Sequence, residues 1–466
     1  MPSQRDLWPA RMRRVGVVTP TGRARRVLVE VADRGAFEPD EGRDRSPGPV
    51  AVLADHVAAG TDPVGPVLSV EPVDPDELAA EGAADLLLGE ASLEARLGAA
   101  TERGRCTILP GWMRAADVDD LRAALDPLGG AVVDLPGRPG LLPPTAYTES
   151  RAGTAFRPLV TTYGTVPYTD IDPTLFAAVA YVVMFGMMFG DVAHGLAIVL
   201  FGLAALLTRR GRFVALHPVA WFLIAAGAAA TAFGFLYGEA FGPTGLVPTL
   251  WIRPLDEPET FLLAGLLVGL VLLAGTFILA IVNRWREGGP ALALYDATGI
   301  AGGLLLLGVA AAITAVATSA GEWWWVAAGL LVAGALLVFG GLAARSGAGS
   351  AGLAEAVVEL FDTLLRLGSN VVSFTRLAAF GLTHAVITAV VWDGTVALWE
   401  RAGVVGVGGA VVLFAVGNVA AFALGALVAA VQALRLEYYE LFSRLFATSG
   451  RPFAPWHVPV RRSESS

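Results

Sequence analysis

From Pro173 onward the chain is a succession of apolar runs as long as a bilayer is thick, and this limits what it can fold into. In hydrocarbon every backbone amide must find its partner inside the protein, so a run of about 20 apolar residues reads as a membrane-crossing helix. Such spans fall near 174–190, 192–208, 214–237, 260–283, 295–317, 323–343, 370–398 and 404–445, the last two long and expected to be tilted. Charged residues make up only 16% of the chain, against roughly 25% in a soluble domain.

The first run, of about 35 residues, is interrupted by GDVAHG at 190–195 and reads either as one long helix or as a tight hairpin. Loop charge favours the hairpin. Arg209, Arg210 and Arg212 form one basic loop, Arg284 and Arg286 another, and Arg345 a third; Arg451, Arg461 and Arg462 lie in the tail. If all face the cytoplasm with the N-terminal part, the number of spans is even, and the hairpin makes it eight. The acidic-leaning loops at 239–259, 318–322 and 399–403 then face outside.

Residues 1–155 have a different character. RRVLVEV and PVLSVEPV are strand-like, and acidic, alanine-rich helical pieces lie around 77–100. TILPGWM reads as a strand and turn, AADVDDLRAALDPL as a helix opening near Asp117, and GGAVVDLPG as a returning strand. PGRPGLLPPTAY reads as a linker. The expected fold class is an α-helical polytopic membrane protein of about eight spans with a small N-terminal α/β cytoplasmic domain. Residues 156–456 form its membrane domain and 457–466 a cytoplasmic tail. Residues 352–369 alternate Leu353, Val357, Leu360, Leu364 and Leu367 with Glu355, Glu359, Asp362 and Arg366, the pattern of a helix lying on the membrane interface. The N-terminus lacks an apolar signal-peptide core, so the expected place is the cell membrane with both termini cytoplasmic.

The polar residues inside the apolar runs carry the chemistry. Arg376 and His384 lie eight positions apart, about 80° around a helix, and share a strip of one groove. Asn370 and Ser373 flank the arginine on its polar side. An arginine snorkelling to headgroups is the bland alternative. Arg435 opens a second wet strip with Gln432, Glu437, Tyr438, Tyr439 and Glu440. It can pair with Glu437 or Glu440, or meet Arg376 across two antiparallel helices. Arginine keeps its charge at any physiological pH, so such a pair would make a passing carboxylate release its proton. Asp191 and His194 sit on the hairpin turn, expected at the outer surface, either capping it or passing protons.

Other chemistries are excluded. The five histidines form no ligand-spaced motif, and no metal site is expected. Phosphate-cradling glycine motifs and a nucleophilic triad are missing, so no cofactor, nucleotide or catalytic site is expected in this chain. Cys106 stands alone, which rules out an internal disulfide. The net charge of -9 offers nucleic acid no basic surface.

TTYGTVPYTDIDPTLF at 161–176, VMFGMMFGDVAHG at 183–195, GFLYGEAFG at 234–242, SNVVSFTRLAAFGLTHA at 369–385 and VQALRLEYYELFSRLFATSGRPFAPW at 431–456 occur in this order. Through them the chain resembles the membrane stator subunit of V-type and archaeal-type rotary ATPases, the 116 kDa subunit a or subunit I family. The resemblance implies a proton or sodium path of two offset half-channels beside a rotating proteolipid ring. Its partners would be that ring, peripheral-stalk and central-stalk subunits, and the lipid bilayer.

On the family pattern, Arg376 and Arg435 match the channel-separating arginines. His384 matches a polar position of the same signature, and Asp362 falls near a cytoplasmic-channel carboxylate. Ser373, Gln432, Glu437 and Glu440 are candidates to line or tune the path; Glu239, Glu355 and Glu359 are further polar candidates. The departure is the N-terminal arm, far shorter than is usual and without a coiled-coil heptad run. Two other readings stand beside the ion-conducting stator: an independent secondary transporter, and a non-conducting anchor of the rotary complex.

Overall fold

The computed structural model describes residues 8–40, 48–137, 140–147, 151–208, 216–346, 350–401, 403–445 and 450–461. The basic loop residues Arg209, Arg210 and Arg212, and Arg462 in the tail, lie outside them. The described residues divide into two compact units: 8–147 with 450–461, and 151–445.

The first unit is α/β. Its elements are β1 (Met12–Pro20), α1 (Ala24–Arg34), β2 (Phe37–Pro39), α2 (Pro49–Ala58), β3 (Leu68–Ser69), α3 (Pro75–Glu81), α4 (Ala84–Ala99), β4 (Thr101–Arg103), β5 (Cys106–Arg114), α5 (Val118–Leu125), β6 (Ala131–Asp134) and, from the tail, β7 (Val460–Arg461). The main sheet runs β2-β5-β1-β6, with β4 also on β5, and these pairings are antiparallel.

Three readings of this region change. RRVLVEV is helical, within α1, because Ala24, Val27, Leu28, Val31 and Ala32 form one buried face that outweighs the strand preference of its valines. TILPGWM continues as strand through Gly111, where a Cβ would stand 2.3 Å from the carbonyl oxygen of Glu38 on β2. PVLSVEPV contributes only Leu68 and Ser69 to a sheet.

Residues 450–461 also belong to this unit. Trp456 and Val458 enter its core beside Val15, Leu28 and Phe37. The Trp456 amide donates to the Phe37 carbonyl (2.8 Å), its indole N–H donates to Ser92 (2.9 Å), and β7 pairs in parallel with β3. Buried Glu38 accepts from Arg451 and from the Ala454 amide (2.9 Å). Burial raises its carboxyl above the usual range against the pull of both donors.

The second unit is helical: α6 (Arg151–Thr161), α7 (Thr174–Met188), α8 (Val192–Leu207), α9 (Ala220–Tyr237), α10 (Pro258–Tyr295), α11 (Ile300–Thr318), α12 (Glu322–Arg345), α13 (Ser350–Ser373), α14 (Thr375–Trp399), α15 (Val404–Leu436) and α16 (Ser443–Leu445). Between α15 and α16 the segment Glu437–Phe442 is π-helical. Among the described residues six helices are long and apolar enough to cross a membrane: Leu216–Tyr237, Pro258–Tyr295, Ile300–Thr318, Glu322–Arg345, Ser350–Trp399 and Val404–Leu445.

The first apolar run is two helices. With 15 and 16 residues, α7 and α8 are each about 22–24 Å long, shorter than a hydrocarbon core of about 30 Å. Their non-helical junction is tolerable because it is buried in protein. Gly190 is required there, since a Cβ would lie 2.4 Å from the Tyr237 ring. Farther along the chain α10 bends at Gly288 and Gly289, the latter at φ 73°.

Candidate functional site

Arg376 lies in the first turn of α14, next to the break at Phe374, whose buried ring fills the space a side chain at Gly269 of α10 would need. Its Nε donates to the Ser373 carbonyl (3.0 Å) and its Nη2 to Glu440 Oε1 (3.0 Å). The two side chains are 27% and 8% exposed, so the pair is largely out of solvent. The Asn370 amide takes the orientation in which its nitrogen meets acceptors and its oxygen meets donors. It then donates to Glu440 Oε2 (3.0 Å) and accepts from Nε and Nη2 of Arg444 (both 3.2 Å). Arg444 in turn lies over the Phe277 ring of α10, 5.2 Å from its centroid.

The π-helical turn sets this geometry. It carries Glu437 and Glu440 inward together, at 0% and 6% exposure. Neither oxygen of Glu437 has a hydrogen-bond partner among the described residues. Leaving a carboxyl group buried and unpartnered costs stability, which sets Glu437 apart from the clasped Glu440.

Arg435 is exposed, without an ion pair among the described residues, so the alternative in which it pairs with Glu437 or Glu440 is not formed. It continues a stripe of exposed residues along α15 that includes Val412, Val416, Val419, Leu427 and Val431. Gln432, three residues before Arg435 on the same helix, has its Oε1 buried without a partner among the described residues. On α13, Asp362 is exposed and pairs with Arg366 (2.6 Å), while Glu355 and Glu359 are exposed along the same helix.

A second polar cluster surrounds the α7–α8 junction. Asp191 caps α8, accepting from the His194 amide (2.9 Å), and its other oxygen accepts from the Gly242 amide (2.9 Å). Asp191 and His194 are both buried, at 0% and 3% exposure, and the 239–242 loop is bonded to the junction through the Glu239 carbonyl and the Gly242 amide. The His194 and His384 rings stand 5.7 Å apart, and Phe189 packs on both at 5.9 and 4.7 Å. No ring nitrogen of either histidine makes a well-formed hydrogen bond among the described residues, and neither does Oδ1 of Asn418, which lies close to His194. Glu239, in the loop after α9, lines a cavity of about 110 Å³ with Arg253 and Asp256. Burial and the like charge of Asp191 push its carboxyl up to about 8.

The candidates thus gather in two places, Arg376 with Ser373 and Glu440, and Asp191 with His194, His384 and Glu239. Sequence reading passed over Asn370 as a hydrogen-bonding bridge, and over Arg444 and Asn418. A signal existed for Arg444, four residues after Glu440 and so on the same helical face.

The chain is similar to known proteins over most of its length. Residues 97–256 match the family model described as the V-type ATPase 116kDa subunit family. An A-type ATP synthase subunit I of Aeropyrum pernix is 30% identical over 412 residues, covering 76% of this chain and 58% of that protein. Proteins of the same name from Archaeoglobus fulgidus and Halobacterium salinarum are 26% and 27% identical, over 75% and 67% of this chain. The chain spans 58% and 51% of those two relatives. The signatures around the two polar clusters and these matches together make the chain a member of the V-type ATPase 116 kDa subunit family.

Proposed function

We propose that this chain is a subunit of an A/V-type rotary ATPase or ATP synthase, and that it conducts protons through two offset half-channels against a rotating proteolipid ring. The observation that carries the reading is the placement of two arginines on neighbouring membrane-scale helices. Arg376 is held by Glu440 inside the helical unit, and Arg435 stands on an exposed apolar stripe. An arginine on an apolar membrane face is too costly to be idle. A ring carrying carboxylates would supply its counter-charge.

In this reading eight spans, α7 and α8 included, lie in the cell membrane with both termini cytoplasmic. Glu239, Asp191, His194 and His384 form the outer access path. Each is buried and titratable, and the cavity beside Glu239 gives entry. Ser373, Gln432, Glu437, Glu440 and the acidic face of α13, with Glu355, Glu359 and Asp362, line the inner side. A ring carboxylate receives a proton from one path, crosses lipid as the neutral acid, and gives the proton up to the other. Moving it ionised would cost several kcal/mol. Arg376 and Arg435 lie between the paths and keep a passing carboxylate ionised, which prevents a short circuit. Stalk subunits would hold this chain against rotation.

Affinity purification of the tagged chain from its host membranes tests the assembly. A ring of small membrane subunits and an ATP-hydrolysing head should co-purify and acidify vesicles on ATP addition. Isolation of the chain alone, transporting a solute without ATP, would overturn the reading.

A further inference from the structure

Glu440 is held from two directions. Arg376 donates to one carboxyl oxygen and Asn370 to the other, while the oxygen of Asn370 accepts two hydrogen bonds from Arg444. Arg444 has its own anchorage on Phe277 of α10, and its charge and that of Glu440 lie within each other's field. One carboxylate therefore shares two guanidinium groups, one in direct contact and one through an amide. An ion pair of only two members is hard to open in a low-dielectric setting, because the abandoned partner is left uncompensated. A second cation already in place lowers that barrier. Arg366 is less suited to the task, since Asp362 engages it at 2.6 Å.

We propose that Arg444 is a positioning residue: through Asn370 it keeps Glu440 compensated, so that Arg376 can leave Glu440 for a ring carboxylate and return. The inference rests on the rotary reading above and deepens it by assigning the element that makes Arg376 releasable. Arg444 touches no transported proton. Its effect passes through the strength with which Glu440 retains Arg376.

The test uses the assembled complex in proteoliposomes, with ATP-driven acidification normalised to the amount of complex. Arg444→Gln should slow transport by roughly tenfold, because a lone Glu440 then grips Arg376. Adding Glu440→Gln to that variant should restore transport to about the rate of Glu440→Gln alone, at least about twice that of Arg444→Gln, since the grip and the buried charge vanish together. A merely structural role would give no such rescue. A wild-type rate for Arg444→Gln, or a double variant as slow as the single one, would overturn the proposal. Should Arg444→Gln fail to assemble, Arg444→Lys decides: it keeps the charge and should retain at least about a third of the rate, and a tenfold loss would overturn the proposal. Arg376→Ala in parallel separates the two readings, because persistent acidification there would sink the rotary assignment itself.

Discussion

Arg376 and Glu440 stand 64 residues apart in the chain and meet at 3.0 Å, Nη2 on Oε1. The contact ties the start of α14 to the π-helical turn after α15, and it fixes a permanent positive charge at the junction of the two helices. Glu440 is therefore both a structural clasp and a restraint on the arginine's movement.

Glu440→Gln keeps the shape of the clasp and removes its charge. We expect transport to persist within about fivefold while stability of the helical unit falls by about 1–3 kcal/mol, the range for a lost charged hydrogen bond. Thermal unfolding of the detergent-solubilised chain, beside vesicle acidification, checks both halves.

Gly425 of α15 faces the His384 ring, and a Cβ there would stand 2.5 Å from Nδ1 and 2.9 Å from Phe189. Gly425→Ala should cost about 1–3 kcal/mol by overpacking and displace His384 from its neighbours. Transport measured against outer pH should respond, whereas an unchanged profile would remove His384 from the outer path.

Asp170, in the loop before α7, is 1% exposed, with Oδ2 unpaired among the described residues. Burial, followed by the nearby Glu287, pushes its carboxyl up to about 6. The folded state therefore binds a proton that the unfolded chain has released. Asp170 contributes stability fully below about pH 4 and loses it as pH rises through about 6. Asp170→Asn should flatten that part of the curve of melting temperature against pH; an unchanged slope would show that Asp170 is not its source.

Trp456, 6% exposed in the core of the α/β unit, makes the tail part of that fold. Trp456→Ala should cost about 3–5 kcal/mol and leave segments within residues 8–148 open to limited proteolysis in the full-length chain. Protection equal to wild type would contradict it.

Six membrane-length helices were legible because apolar runs of that length have few other solutions; the α7–α8 break was legible through GDVAHG. The valines of α1 misled because strand preference and a helical buried face compete in RRVLVEV, and only tertiary packing decides between them. Nothing local in PFAPWHVPV announces that Trp456 and Val458 complete a core begun more than 400 residues earlier. Arg376 was visible as a costly charge, but its partner depended on the π-helical turn, which carries Glu440 inward.

The most direct measurement compares wild type with Arg376→Ala in reconstituted vesicles, following acidification while ATP hydrolysis and subunit composition are monitored. Complete loss of acidification in a complex that still assembles is the result expected if Arg376 separates two half-channels. ATP-driven acidification at the wild-type rate would contradict the account.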